Sequence, residues 1–348
     1  MDWDEEAFLE RTRQLEAMAT LKYDEYGNYR PGIKFFESLS AWLDQLQPGA
    51  ERETALNFVL ERLVFISDAE MTHLIETVYP DHIEAVLLQQ TARDLQIPTH
   101  KVEALAASEH FRALRRRSLI LGASDGARLD RLRRSAPFLS HEQFLQATEP
   151  TADLVKPMCD TLTEALDQLK LQGPSTFEQV FFVDDFSGSG ETMLRKKNGQ
   201  FKGKLIKLQR AVTKLVEAEH LDPNPAVTVV LYVASAQAEQ HITSMLEQAG
   251  LAHWNLRVAH LLPVSVKVDN SDPAMAELCH SYWDPAASDK HKGDAPVGYA
   301  ECALPVVLSH NTPNNSVCLL WADTTAEPDS LNREALFPRY ERHHRERP

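Results

Sequence analysis

The sequence predicts an α/β protein in which a helical N-terminal domain, residues 1–117, precedes a parallel-sheet domain, residues 118–340, with a charged tail over 341–348. Three observations carry this. Up to Arg117, apolar residues recur at helical spacing with few strand signals. From Ser118, short apolar runs alternate with helix-length amphipathic segments, which is the rhythm of βαβ units. One of those runs leads into two adjacent aspartates and a Ser/Gly loop, "VFFVDDFSGSGET", residues 180–192.

The helical part reads in order. "IKFFESLSAWLDQL" and "ETALNFVLERLVFI" place apolar residues on one helical face. "SDAEMTHLIETV" opens with Ser67 and Glu70 at capping-box spacing. "DHIEAVLLQQTARDLQIP" is amphipathic and ends before Pro98. Several short helices in succession suit a packing or adaptor domain, with a helix-turn-helix as the alternative.

The α/β part follows. "SLILGA" is a buried strand, and "SDGARLDRLRR" a loop and then a helix. "LVKPMCDTLTEALDQL" is a helix, "QVFFVDD" a strand, and "GETMLRKK" the start of another helix. "AVTVVLYVAS" and "NLRVAHLLP" are strands that flank the helix "AEQHITSMLEQAG". Beyond Ser265 the chain is less regular, with one more strand over 303–309.

Composition narrows the function. The chain has 348 residues, 43% hydrophobic and 25% charged, which suffices for a sizeable core. No window approaches about 18 consecutive apolar residues, so no membrane span or membrane partner is expected. The acidic start "MDWDEEAFLE" has no signal-peptide pattern. Cys159, Cys279, Cys302 and Cys318 lack metal or redox spacing, which suits a cytoplasmic location. A net charge of −15 argues against broad electrostatic binding to nucleic acid.

In a parallel sheet the ligand crevice lies at the carboxyl ends of the strands, where Asp184 and Asp185 would sit. Ser187, Gly188, Ser189 and Gly190 come next, with a helix expected to begin near Glu191. Small residues bring backbone N–H groups close to an anion, and a helix N-terminus adds a favourable field. Ser187, Ser189 and Thr192 add hydroxyl donors. Carboxylates instead bind sugar hydroxyls, or Mg²⁺ through water. A ribose 5-phosphate has both parts. Neither the Walker A spacing nor GxGxxG is present. A Gly-rich turn that only caps a helix is the plain structural alternative.

These residues resemble the phosphoribosyl-pyrophosphate signature of type I phosphoribosyltransferases. The resemblance implies a Rossmann-like phosphoribosyltransferase fold. It places Asp184 and Asp185 along the ribose hydroxyls and Gly188, Ser189, Gly190, Glu191 and Thr192 around the 5-phosphate. Ser187 stands where the family has an apolar residue, and Ser189 where it has Thr. The family also has a pyrophosphate loop after an earlier strand, and Ser124, Asp125, Gly126, Ala127 and Arg128 fall there in chain order. Asp125 suits a diphosphate only if neutralised, and an ordinary turn is the alternative. Past the last strand, His310, Asn311, Thr312, Asn314 and Asn315 form a neutral set able to read a base or sugar, or a plain Asx-turn loop.

Together these segments, with "LFPR" at 336–339, resemble a divergent phosphoribosyltransferase-like group encoded beside ATPases, nucleases or other effectors in bacterial conflict operons. The resemblance implies a phosphoribosyl or nucleotide ligand, Mg²⁺ at Asp184 and Asp185, a protein partner encoded nearby and a role in anti-phage defence. No residue stands out as a general base. Two non-enzymatic readings stay open: a sensor that binds the ligand and gates a partner, and a structural adaptor.

"RKKNGQFKGKLIKLQR", residues 195–210, carries seven basic residues and no acidic one. It reads as a solvated hairpin or helix face, or as a local contact for a phosphorylated substrate or nucleic acid. "SYWDPAASDKHKGDAP" reads as an exposed loop, and His343 and His344 lie in the charged end.

Overall fold

A computed structural model describes residues 5–287, 294–324 and 332–339. The tail 341–348 and most of the "AASDKHKG" stretch lie outside the described residues. The strands are β1 Val64–Ile66, β2 Ser118–Gly122, β3 Phe144–Gln146, β4 Phe177–Ser187, β5 Arg195–Lys197, β6 Gln200–Lys202, β7 Leu221–Ser235, β8 Asn255–Leu262 and β9 Val306–Leu308.

The chain divides into two compact units: Met1–Met71 with Pro263–Pro348, and Thr72–Leu262. This differs from the division expected at Ser118. β1, read from sequence as the end of a helix, is a strand that pairs in parallel with β9, Val64 opposite Val306 and Ile66 opposite Leu308. The pairing joins the N-terminal helices to the C-terminal segment. Phe337, fully buried, lies 5.9 Å from Tyr23 and 6.0 Å from Phe35 between ring centroids. Trp42 Nε1 donates to the Leu319 carbonyl at 2.8 Å. The "LFPR" segment therefore belongs to this aromatic core. The capping box is present: Glu70 N donates to Ser67 Oγ at 3.0 Å, and Ser67 N to Glu70 Oε2 at 2.9 Å.

The second unit holds a five-stranded sheet in the order β3-β2-β4-β7-β8. Every pairing in it is parallel. The run Val180, Phe181, Phe182, Val183 is almost wholly buried. Helices cover both faces of such a sheet, so its central strands are apolar on both sides and show no alternation. The expected strands at β2, β4, β7 and β8 are present, and β3 was not foreseen.

One local expectation fails. No helix begins at Glu191. Gly190 O accepts from Met193 N and Leu194 N, each at 3.0 Å, and this single turn leads into the β5–β6 hairpin. Asn198 and Gly199 both have positive φ, as a tight two-residue hairpin turn requires. The helix starts only at Lys204 and runs to Glu217. Among the described residues, no helix is long and apolar enough to cross a membrane. Cys159, Cys279, Cys302 and Cys318 are all buried.

Candidate functional site

In chain order the sheet begins at β2, moves to β3 on one side, then returns to β4 on the other side of β2. The strand order reverses between β2 and β4, and a crevice opens outside the carboxyl ends of strands at such a point. Residues 123–128 follow β2 and residues 188–194 follow β4. The two candidate ligand loops therefore share this switch point.

Ser124 and Asp184 link them. Ser124 Oγ donates to Asp184 Oδ1 at 2.5 Å, and Ala123 N donates to Val183 O at 2.9 Å. Asp184 is 2% exposed. Its second oxygen, Oδ2, is in an ion pair with Lys204 Nζ. Burial first, and then the Asp185 charge, push the Asp184 carboxyl above its usual range, while Lys204 and Ser124 pull it back less. Asp185, next on β4, lies against Gly126. A Cβ on Gly126 would run into both Asp185 carboxylate oxygens, so any larger residue there would have to push that side chain aside.

The first loop is held from both sides. On the β3 side, Gln146 Nε2 donates to Ser124 O at 2.6 Å and Thr148 Oγ1 to Ala123 O at 2.8 Å. From β7, Tyr232 OH donates to Ala127 O at 2.6 Å. Burial, and then the Asp185 and Asp184 charges, hold the Tyr232 phenol far above its usual pKa, so it stays a donor. Asp125 is exposed, which keeps its charge at the solvent edge of the loop. Arg128, with φ 43°, leads into the helix Leu129–Ser135.

The second loop is equally tied. Ser187 and Ser189 are buried and Thr192 is exposed. Ser235 Oγ donates to Gly188 O at 2.5 Å. Gly190 has φ 80°, and a Cβ there would meet His241 Cδ2 at 2.9 Å and Ala238 O at 3.0 Å. Arg195 donates to Glu191 O at 3.0 Å. Lys204 N donates to Thr192 O at 3.1 Å and Leu205 N to Met193 O at 3.0 Å. The first amides of the helix at Lys204 thus bind the loop's own carbonyls. Any anion at this loop would rely on loop amides and hydroxyls, not on a helix beginning at Glu191.

The Mg²⁺ expected at Asp184 and Asp185 fits this arrangement poorly. Asp184 already has a hydroxyl on one oxygen and an ammonium on the other.

The remaining candidates belong to the first unit. Thr312, fully buried, lies 2.9 Å from Tyr26 OH and donates to Phe337 O at 2.9 Å. Burial pushes the Tyr26 phenol up to about 12. Asn314 donates to Asp294 at 2.5 Å, and Asn315 to Tyr299 O at 3.3 Å. Asn28 reaches both His310 O, at 3.0 Å, and Asn311 Oδ1, at 3.4 Å. His310 is exposed. These residues hold their unit together through internal bonds.

Sequence reasoning missed Lys204, Gln146, Thr148 and Tyr232. Lys204 lay within the basic run, where nothing marked it apart from its neighbours. The others act only through the fold.

The family model PRTase-CE matches residues 39–339 of the chain. No curated protein and no solved structure matches it.

Proposed function

The chain belongs to the PRTase-CE family, a phosphoribosyltransferase-type family, and on that premise we propose that it binds a 5-phosphorylated ribose at the β2/β4 crevice and transfers or cleaves at the anomeric carbon. The ligand would be phosphoribosyl pyrophosphate or a nucleotide. The observation that carries this reading is the Ser124–Asp184 bond, which joins the two loops at the switch point of the sheet. Residues 188–192 take the 5-phosphate, and the first loop, with Ser124, Gly126 and Arg128, takes the diphosphate. Asp184 and Asp185 orient the ribose hydroxyls. Bond breaking at an anomeric carbon builds positive charge on the sugar, and buried carboxylates placed beforehand lower the energy of that charge. The chemistry needs a held leaving group more than a general base.

A second reading is favoured by the closure of Asp184 on Ser124 and Lys204. A pocket whose carboxylate is already satisfied suits a sensor that binds the ligand without turnover and gates a partner protein. The setting that goes with either reading is anti-phage defence beside an ATPase, nuclease or other effector.

The test is ³¹P spectroscopy of phosphoribosyl pyrophosphate mixed with the full chain. Diphosphate release that the Asp184→Asn/Asp185→Asn variant abolishes supports the enzyme. Line broadening without release supports the sensor. Neither effect with a folded protein refutes both.

A further inference from the structure

Lys204 belongs to a run that reads as a basic surface segment, yet its ammonium is paired with the most buried carboxylate of the crevice. The lysine is delivered there by backbone. Gly203 has φ 125°, and a Cβ on it would strike the Met193 carbonyl, so the chain passes close beneath the second loop. Lys204 N then bonds Thr192 O at 3.1 Å, and the side chain, 21% exposed, reaches Asp184 Oδ2. Ser124 Oγ holds the other oxygen at 2.5 Å. Both sides of the carboxylate are met by the protein itself.

A dication placed at the same carboxylate would sit beside this ammonium, and like charges a few ångströms apart in a poorly solvated crevice repel strongly. Mg²⁺ also keeps a tight octahedral water shell and dehydrates reluctantly. An ammonium carries three donors, so bonding to Asp184 leaves it able to donate to a ribose hydroxyl too.

We propose that Lys204 is the resident cation of this site, holding Asp184 where a divalent metal would otherwise bind, so that the chain takes its phosphorylated ribose without one. Only the identity of the ligand rests on the phosphoribosyl reading. The role of Lys204 does not.

The test uses Mn²⁺ as probe, followed by electron paramagnetic resonance with the full chain. The wild type is expected to take up no Mn²⁺ that Asp184→Asn removes, and Lys204→Met to gain such a site. A wild-type Mn²⁺ site lost in Asp184→Asn overturns the proposal. So does a folded Lys204→Met variant that stays as free of Mn²⁺ as the wild type. If Lys204→Met does not fold, the comparison of wild type with Asp184→Asn decides alone. In a second arm, ribose 5-phosphate is titrated in EDTA and in Mg²⁺. The wild-type Kd is expected to differ by less than about threefold, and a difference above about tenfold in favour of Mg²⁺ overturns the proposal. Failure of ribose 5-phosphate to bind in either buffer counts against the phosphoribosyl reading, and the Mn²⁺ result on Lys204 still stands.

Discussion

The phenol of Tyr232 on β7 donates to the carbonyl of Ala127, after β2, at 2.6 Å, and so spans the intervening strand β4. Both residues are fully buried. A phenylalanine at 232 would leave the Ala127 carbonyl without that donor. Tyr232→Phe is therefore expected to lose about 1–3 kcal/mol of stability in urea denaturation, the cost of a buried acceptor stripped of its partner. Unchanged stability would mean that the bond does not hold the loop.

Gly126→Ala separates stability from binding. The added methyl meets only the carboxylate end of Asp185, a side chain that can swing away. The thermal midpoint should hardly move, while affinity for phosphoribosyl pyrophosphate falls by about tenfold or more, about 1.4 kcal/mol. Gly190→Ala differs, because φ 80° is strained for any side chain and Ala238 O blocks the space. It should cost about 1 kcal/mol or more in stability as well.

Asp184 gives the pH dependence a definite sign. Its folded pKa is raised, by burial first and by Asp185 next. As pH rises, the unfolded chain loses this proton first, near the ordinary carboxylate value of about 3.9. Stability therefore falls as pH rises from there until it passes the raised folded value, and stays lower above it. Below about pH 4 the cost vanishes. Asp184→Asn is expected to be more stable than wild type at pH 7, with the gap closing in acid. Thermal melts at pH 3.5, 5 and 7 check this, and a gap that widens toward acid contradicts it.

The first unit depends on Phe337. Five aromatic rings, Tyr23, Tyr26, Tyr29, Phe35 and Phe65, lie within 6.0 Å of its ring centroid. Phe337→Ala should cost about 3–5 kcal/mol, the range for truncating a buried aromatic side chain. A loss of under about 1 kcal/mol, the scale of a surface change, would contradict the joining of the two chain ends in one core.

Much of the second unit was legible in the sequence. The run 180–183 is buried on both faces of a parallel sheet, and a continuous apolar stretch is the signature of that environment. The aspartate pair and its loop follow from the same strand. The capping box at Ser67 and Glu70 was legible because it is local. The hairpin at Asn198-Gly199 was legible as one of the readings of residues 195–210, and Asn-Gly is a strong two-residue turn signal, whereas the helical texture of "GETMLRKK" suggested a helix that is not there. The β1–β9 pairing was not legible. Two three-residue strands far apart in the chain leave no periodic trace. Tyr232 read as one more apolar strand residue, and Lys204 as one lysine among several, because their partners come from other strands.

The most direct measurement is calorimetric titration of the full chain with phosphoribosyl pyrophosphate, wild type beside Asp184→Asn/Asp185→Asn. Saturable binding by the wild type, abolished in a folded double variant, is the predicted result. A folded wild type that does not bind, or a double variant that binds equally well, would contradict a phosphoribosyl site at the β2/β4 crevice.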